Sequence, residues 1–222
     1  MRARLYREHK YVSAILNRLE RLIGQADFNC KDDLERIRAE YQEVHMMLLA
    51  HAKHENENFH ALLEKKGSKV HLHAHLDHDE MSQTLVHLQN LLDEMMLDVD
   101  QQEAGYHFYL EYRKFVGDNL LHLHEEETKI LPELQRLYSD DELRKIEFPI
   151  YEQMTPAQLI HMVSTLFPHM NLYDKDAFLA DIQHAQPVKF AQIWEQADQF
   201  LNQDEQIRFL HNHPELEAVK KR

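Results

Sequence analysis

The chain is poor in the residues that interrupt helices. Its 222 residues include four glycines and six prolines, so loops are expected to be short and few. There is one cysteine, Cys30. That excludes an intramolecular disulfide and any thiolate-based zinc or iron–sulfur site. Basic residues are outnumbered, 25 against 39 acidic ones, for a formal charge of −14. With no basic stripe to neutralise phosphates, nucleic acid is not an expected partner. Long apolar runs are missing too, and the first ten residues, MRARLYREHK, are charged from the outset. Neither a secretory signal nor a membrane span is expected, and the location is read as cytoplasmic.

Helix formers and histidine are what the chain has in quantity. Stretches rich in Leu, Glu, Lys, Gln and Ala predict an all-α protein. Leu5, His9, Val12, Leu16 and Leu19 recur at three- and four-residue steps and mark a first helix from about Arg4 to Gly24. A second opens with Asp32 or Asp33 as its cap and ends near Gly67. A third covers roughly His73–Asp100, and a fourth runs from near Glu103 to about Pro132 or slightly beyond. Four long helices with short links favour an up-down-up-down four-helix bundle over residues 1–138. Beyond Tyr138, Ser139 and Glu142 read as a capping box, and Thr155-Pro156 as a cap followed by proline at the first helical position. Breaks are expected near Pro168, Pro187 and Pro214. Residues 139–222 are therefore read as a smaller helical extension with Trp194 and Phe200 in its core. Through it a protein partner, or a second copy of the chain, would attach.

Eighteen histidines is the oddity of the composition, and position must separate metal ligands from solvated rings. The first half of the chain repeats a pattern. His9 is followed 42 residues later by His51-Ala-Lys-His-Glu55, and His78 is followed 44 residues later by His122-Leu-His-Glu-Glu126. Residues four apart share a helix face, about 6 Å apart along the axis. His51 and Glu55 thus lie on one stripe with Leu48, Phe59 and Leu62. His122 and Glu126 lie on another with Phe115, Asn119, Ile130 and Glu133. A buried carboxylate without compensation costs several kcal/mol. Carboxylates shared between two cations, with imidazoles at the terminal positions, would supply that compensation. The mixed N/O donor set suits two iron ions, with manganese or zinc as the other metals it could take. His9 and His78 add one imidazole each from the other two helices. His75, and after it His71, is the candidate for one more. His45, His54, His60, His73, His87 and His124 fall off these stripes or beside them and are expected at the surface. So are Glu125 and Glu127, although Glu127 would replace Glu126 if the helix were rotated slightly.

At these residues the chain resembles the hemerythrin-like, or HHE cation-binding, family. The resemblance covers about residues 1–138 and implies a non-haem di-iron centre in a four-helix bundle. His9 matches the family's first-helix histidine, and His51 with Glu55 its second-helix HxxxE. His78, with His75, stands at the third-helix position, and His122 with Glu126 at the fourth. The stretch His122-Leu-His-Glu-Glu-Glu-Thr-Lys-Ile-Leu-Pro132 also looks like the family's fourth helix. Two positions depart from the oxygen carriers of the family: Ala74 stands four before His78, and the fifth residue after His122 is Glu127. A missing imidazole would leave iron more open to exchange.

Three functions follow from the sequence. The first is a metal-binding module that takes up O2 or a related small molecule, or senses iron or redox state. The second is a di-iron enzyme acting on peroxide or nitric oxide. The third is a metal-free helical interaction module. No nucleophile or dedicated general base stands out, which favours binding or sensing over classical catalysis.

Overall fold

Helix α1 (His9–Gln25) buries Val12, Ile15, Leu16, Leu19 and Ile23 along one apolar stripe, as the three- and four-residue spacing requires. Helix α2 (Lys31–Glu55) opens after Cys30, which makes no side-chain cap. Asp32 and Asp33, expected as caps, lie in its first turn, where carboxylates favour the positive end of the helix dipole. Asp33 Oδ2 also accepts the Asp27 backbone N–H at 3.1 Å.

After Glu55 the helix widens into a π turn, Asn56–His60, before resuming as α3 (Ala61–Lys65). Gly67, with φ of 72°, ends it. Its N–H donates to Glu64 O at 2.8 Å and the Ser68 N–H to Leu63 O at 3.0 Å, a left-handed closure that glycine adopts at little cost. Helix α4 spans Leu72–Met95. Helix α5 (Gln101–Glu125) is capped by Asp100, whose side chain accepts the Glu103 N–H. A second π turn, Glu126–Ile130, links it to α6 (Leu131–Leu137). The helical stretch thus runs on to Leu137, slightly beyond Pro132. Pro132 is the second residue after the widened turn.

The computed structural model describes residues 5–95, 97, 100–214 and 216. The expected start of the first helix at Arg4 and the stretch Asp98-Val99 of the third lie outside the described residues. Among those described there is no strand, and no helix is long and apolar enough to cross a membrane. The chain divides into two compact units.

One unit is Val12–Leu137. Here α4 packs on α5 and α2 on α4. The Tyr41 hydroxyl on α2 donates to Leu85 O on α4, and the Tyr112 hydroxyl on α5 donates to Leu16 O on α1 at 3.3 Å. The Phe108 ring packs against both tyrosines, with ring centres 6.3 Å from Tyr41 and 6.2 Å from Tyr112, and Phe108, Leu88 and Leu92 are fully buried. At Gly105 of α5 the Phe28 ring comes so close that an added Cβ would sit 2.2 Å from a ring carbon.

The other unit combines Met1–Tyr11 with Tyr138–Arg222. It contains α7 (Asp140–Arg144), α8 (Phe148–Gln153), α9 (Pro156–Leu166), α10 (Leu172–Ala185), α11 (Phe190–Ala197) and α12 (Gln203–Asn212). The Ser139/Glu142 capping box forms, and Thr155 caps α9 with Gln158 ahead of Pro156. Trp194 is fully buried and stacks on Phe209, ring centres 4.6 Å apart. Phe200 is half-buried. Arg7 pairs with Asp181 at 2.7 Å and Lys10 with Asp174, which ties the first residues to α10.

Candidate metal centre

The two His-x-x-x-Glu pairs occupy equivalent places. His51 lies near the end of α2 and Glu55 is its last residue, with a π turn starting directly after Glu55; His122 lies in the last turn of α5, and Glu126 is the first residue of the second π turn. Glu55 and Glu126 are wholly buried. His78, on the buried stripe of α4 with Ala74, Met81 and Leu85, faces them. Its Nε2 lies 3.3 Å from Glu55 Oε2 and 3.8 Å from Glu126 Oε1. His122 Nε2 lies 3.5 Å from Glu126 Oε2, and His51 Nε2 lies 3.3 Å from Glu55 Oε1. Glu55, His78, His122 and Glu126 each present one ligand atom, all within 4.8 Å of one another. This buried His/Glu group could hold a metal ion.

A ring of outer contacts sets the chemistry of the two imidazoles. His78 Nδ1 is 3.0 Å from Asn56 Oδ1, the first residue of the π turn. His122 Nδ1 is 3.2 Å from Asp77 Oδ2. Both oxygens are acceptors, so both Nδ1 atoms carry the hydrogen, with the tautomer assigned from these bonds. That leaves the two Nε2 atoms as lone-pair acceptors, and they face each other at 2.9 Å. Two neutral imidazoles in this arrangement repel unless a cation or a shared proton stands between them. A carboxylate or amide oxygen behind each imidazole is the arrangement that orients histidine on a metal. Burial, and after it His78, holds His122 below its ordinary value, which keeps it in the neutral form that ligation needs. The donor set of imidazole nitrogens and carboxylate oxygens fits iron, manganese or zinc.

The remaining sequence candidates are placed as follows. His9 is 2% exposed and is the first residue of α1. His75 is exposed, bonded through Nδ1 to Asn56 Oδ1 at 3.0 Å, and lies outside the His/Glu group. Of the two carboxylates at 126 and 127, Glu126 turns inward and Glu127 is exposed. His71 is buried, with Nε2 3.4 Å from Glu64 Oε1.

His60 corrects the reading of the sequence. Expected at the surface, it is 2% exposed. Its ring stacks on that of His78 with centres 5.5 Å apart and planes 14° apart, and its Nε2 is 3.9 Å from Glu126 Oε1. Burial, followed by the neighbouring His78, pushes it down to about 3. On an α-helix five residues turn through about 500°, which puts His60 about 140° away from Glu55. The π turn absorbs the extra residue and brings it round. No pattern of apolar spacing signals such a turn.

One face of the site opens to a groove between α4 and α5. Asp77, Glu80, Met81, Asp118, Asn119, His122 and Glu125 are among the residues that line it. His73 lines it too, with Nδ1 3.4 Å from Asp77 Oδ2 and 3.2 Å from Glu125 Oε2. No protein-family model, curated protein or solved structure matches the chain.

Proposed function

We propose that residues 1–138 form an up-down-up-down four-helix bundle of hemerythrin-like type that holds two iron ions. In this reading His78, His122, Glu55 and Glu126 bind one ion. His51 binds the second, Glu55 serves both, and His9 is the ligand from the first helix. The observation that carries the reading is the pair of Nε2 atoms 2.9 Å apart, each with its Nδ1 committed to an acceptor, set against two fully buried carboxylates. Positive charge between them would offset the cost of burying both glutamates. When bound, such a centre supplies a redox-active cation pair with room for a small ligand.

The function that fits this site is binding of O2 or a related small molecule, or sensing of iron or redox state. Asn56 and Asp77 orient the imidazoles. The Tyr112 hydroxyl donates to Leu16 O and is committed to packing. The groove reaching His122 also admits a peroxide-sized or diatomic substrate, which supports peroxide or nitric oxide chemistry as the second reading.

Metal analysis and visible spectroscopy on freshly purified protein test the proposal. About two irons per chain with a charge-transfer band in the oxidised protein are expected, and both should be lost in His122→Ala. Protein that takes up no stoichiometric metal on anaerobic iron loading would refute it. Turnover of peroxide or nitric oxide by the loaded protein, absent in His122→Ala, would favour the enzyme over the binding protein.

A further inference from the structure

The third helix brings one imidazole, His78, into the buried group. One turn earlier on the same face stands Ala74, fully buried and without a donor. The space beside His78 is filled from a different helix. His60 stacks on His78, and its ring centre lies 5.3 Å from that of His71 and 6.2 Å from that of His75. Neither of its ring nitrogens has a hydrogen-bond partner among the described residues. A buried imidazole left so bears the full desolvation of its polar atoms with no return.

Its position is also not one that ordinary helix geometry would give. His60 is the last residue of the π turn that begins directly after Glu55, and such turns recur at functional sites. Two ligand atoms each about 2.1 Å from one ion are separated by about 3 Å at a right angle and about 4.2 Å when opposite. The 3.9 Å between His60 Nε2 and Glu126 Oε1 falls inside that range.

We propose that His60 is a metal ligand, binding through Nε2 the ion that Glu126 also binds, and that the π turn in the second helix exists to deliver it. The histidine that the third helix does not provide at position 74 is thereby supplied by the second. This rests on the metal-centre reading above. It predicts that the ligand set cannot be read from helical spacing alone.

The test uses the full chain, stripped of metal and titrated with iron(II) and, as a spectroscopic probe, cobalt(II) against a competing chelator. The proteins compared are wild type, His60→Leu, His60→Gln and His60→Ala. Metal-free His60→Leu should be folded and at least as resistant to urea as wild type, since it removes an unbonded buried imidazole. It should bind the ion that Glu126 holds at least tenfold less tightly, with altered visible bands of the cobalt form. His60→Gln should behave in the same way, and it decides the matter if the leucine variant does not fold. Added imidazole should restore the bands in His60→Ala. Wild-type affinity and an unchanged cobalt spectrum in the folded leucine or glutamine variant would overturn the role of His60 while leaving the centre itself intact. A wild-type chain that binds neither metal would instead bring down the metal-centre reading, and this inference with it.

Discussion

Asp77 is not in the His/Glu group, yet its Oδ2 lies 3.2 Å from His122 Nδ1 and fixes which nitrogen of that ring faces the two glutamates. Supporting carboxylates of this kind are worth about 10–100-fold in metal affinity. Asp77→Asn should therefore weaken metal binding by about tenfold without unfolding the chain, measured by chelator competition and circular dichroism. Unchanged affinity would mean that the contact does not orient His122. At this scale the sequence was informative where the α-helical period holds. His51, Glu55, His78, His122 and Glu126 stand on the stripes their spacing predicts, and all five are buried. It was silent on outer contacts such as Asp77 and Asn56, because an exposed Asp and a functional one look alike in composition. It misplaced His60, because that residue reaches the interior through a break in the period.

The same break acts on whole elements. Ahead of each π turn the expected stripe is the observed one; beyond each it slips by a residue. Leu63 is buried where Leu62 was expected, and Leu134 where Glu133 was expected. Glu133 instead pairs with Arg136 at 2.7 and 2.9 Å and accepts the Ser68 hydroxyl at 3.0 Å. One extra residue per helix thus re-aims everything downstream. Gly105 shows a second element-scale constraint. Alanine there would gain about 1 kcal/mol of helix propensity but would drive its Cβ into the Phe28 ring. Overpacking of that kind costs about 1–3 kcal/mol. Gly105→Ala should lower the urea midpoint despite its better propensity. A raised midpoint would show that Phe28 moves aside freely.

For the whole molecule, folding and ion binding should be coupled. With metal at about a hundred times its dissociation constant, native-state binding adds about 2.7 kcal/mol, which is roughly 5–10 °C in Tm for a chain of this length. Chelation should reverse that gain, and a Tm insensitive to chelator would speak for the metal-free module. Acid should act on the stripped protein as well. His60 is held down to about 3, first by burial and then by His78, against about 6.5 in the unfolded chain. Below about 6.5 the unfolded chain takes up a proton that the folded chain refuses, so stability is full above that pH and drains away as pH falls toward 3. His122, lowered by burial and then by His78, adds to the same trend. The urea midpoint of the metal-free protein should fall between about pH 7.5 and pH 5, and fall less in His60→Leu. A flat profile would contradict burial of these rings in the neutral form. The all-helical class was readable from composition alone. The grouping of the first eleven residues with the later segment was not, since it depends on tertiary pairs such as Arg7 with Asp181.

The groove between α4 and α5 bears on how fast the centre fills, apart from how tightly it holds. Of its charged lining, Lys114 is tied to Asp118 at 2.6 Å, while Asp77, Glu80 and Glu125 line the same groove as His122. A cleft lined with one sign of charge concentrates counter-ions and raises their encounter rate, and added salt screens that attraction over about 10 Å at 0.1 M. Uptake of a divalent cation, followed by stopped flow, should slow with ionic strength and slow further in Glu80→Gln, while release stays nearly constant. In that case the net charge of −14 would matter chiefly through these few side chains, as a filter that speeds cations inward and delays anions.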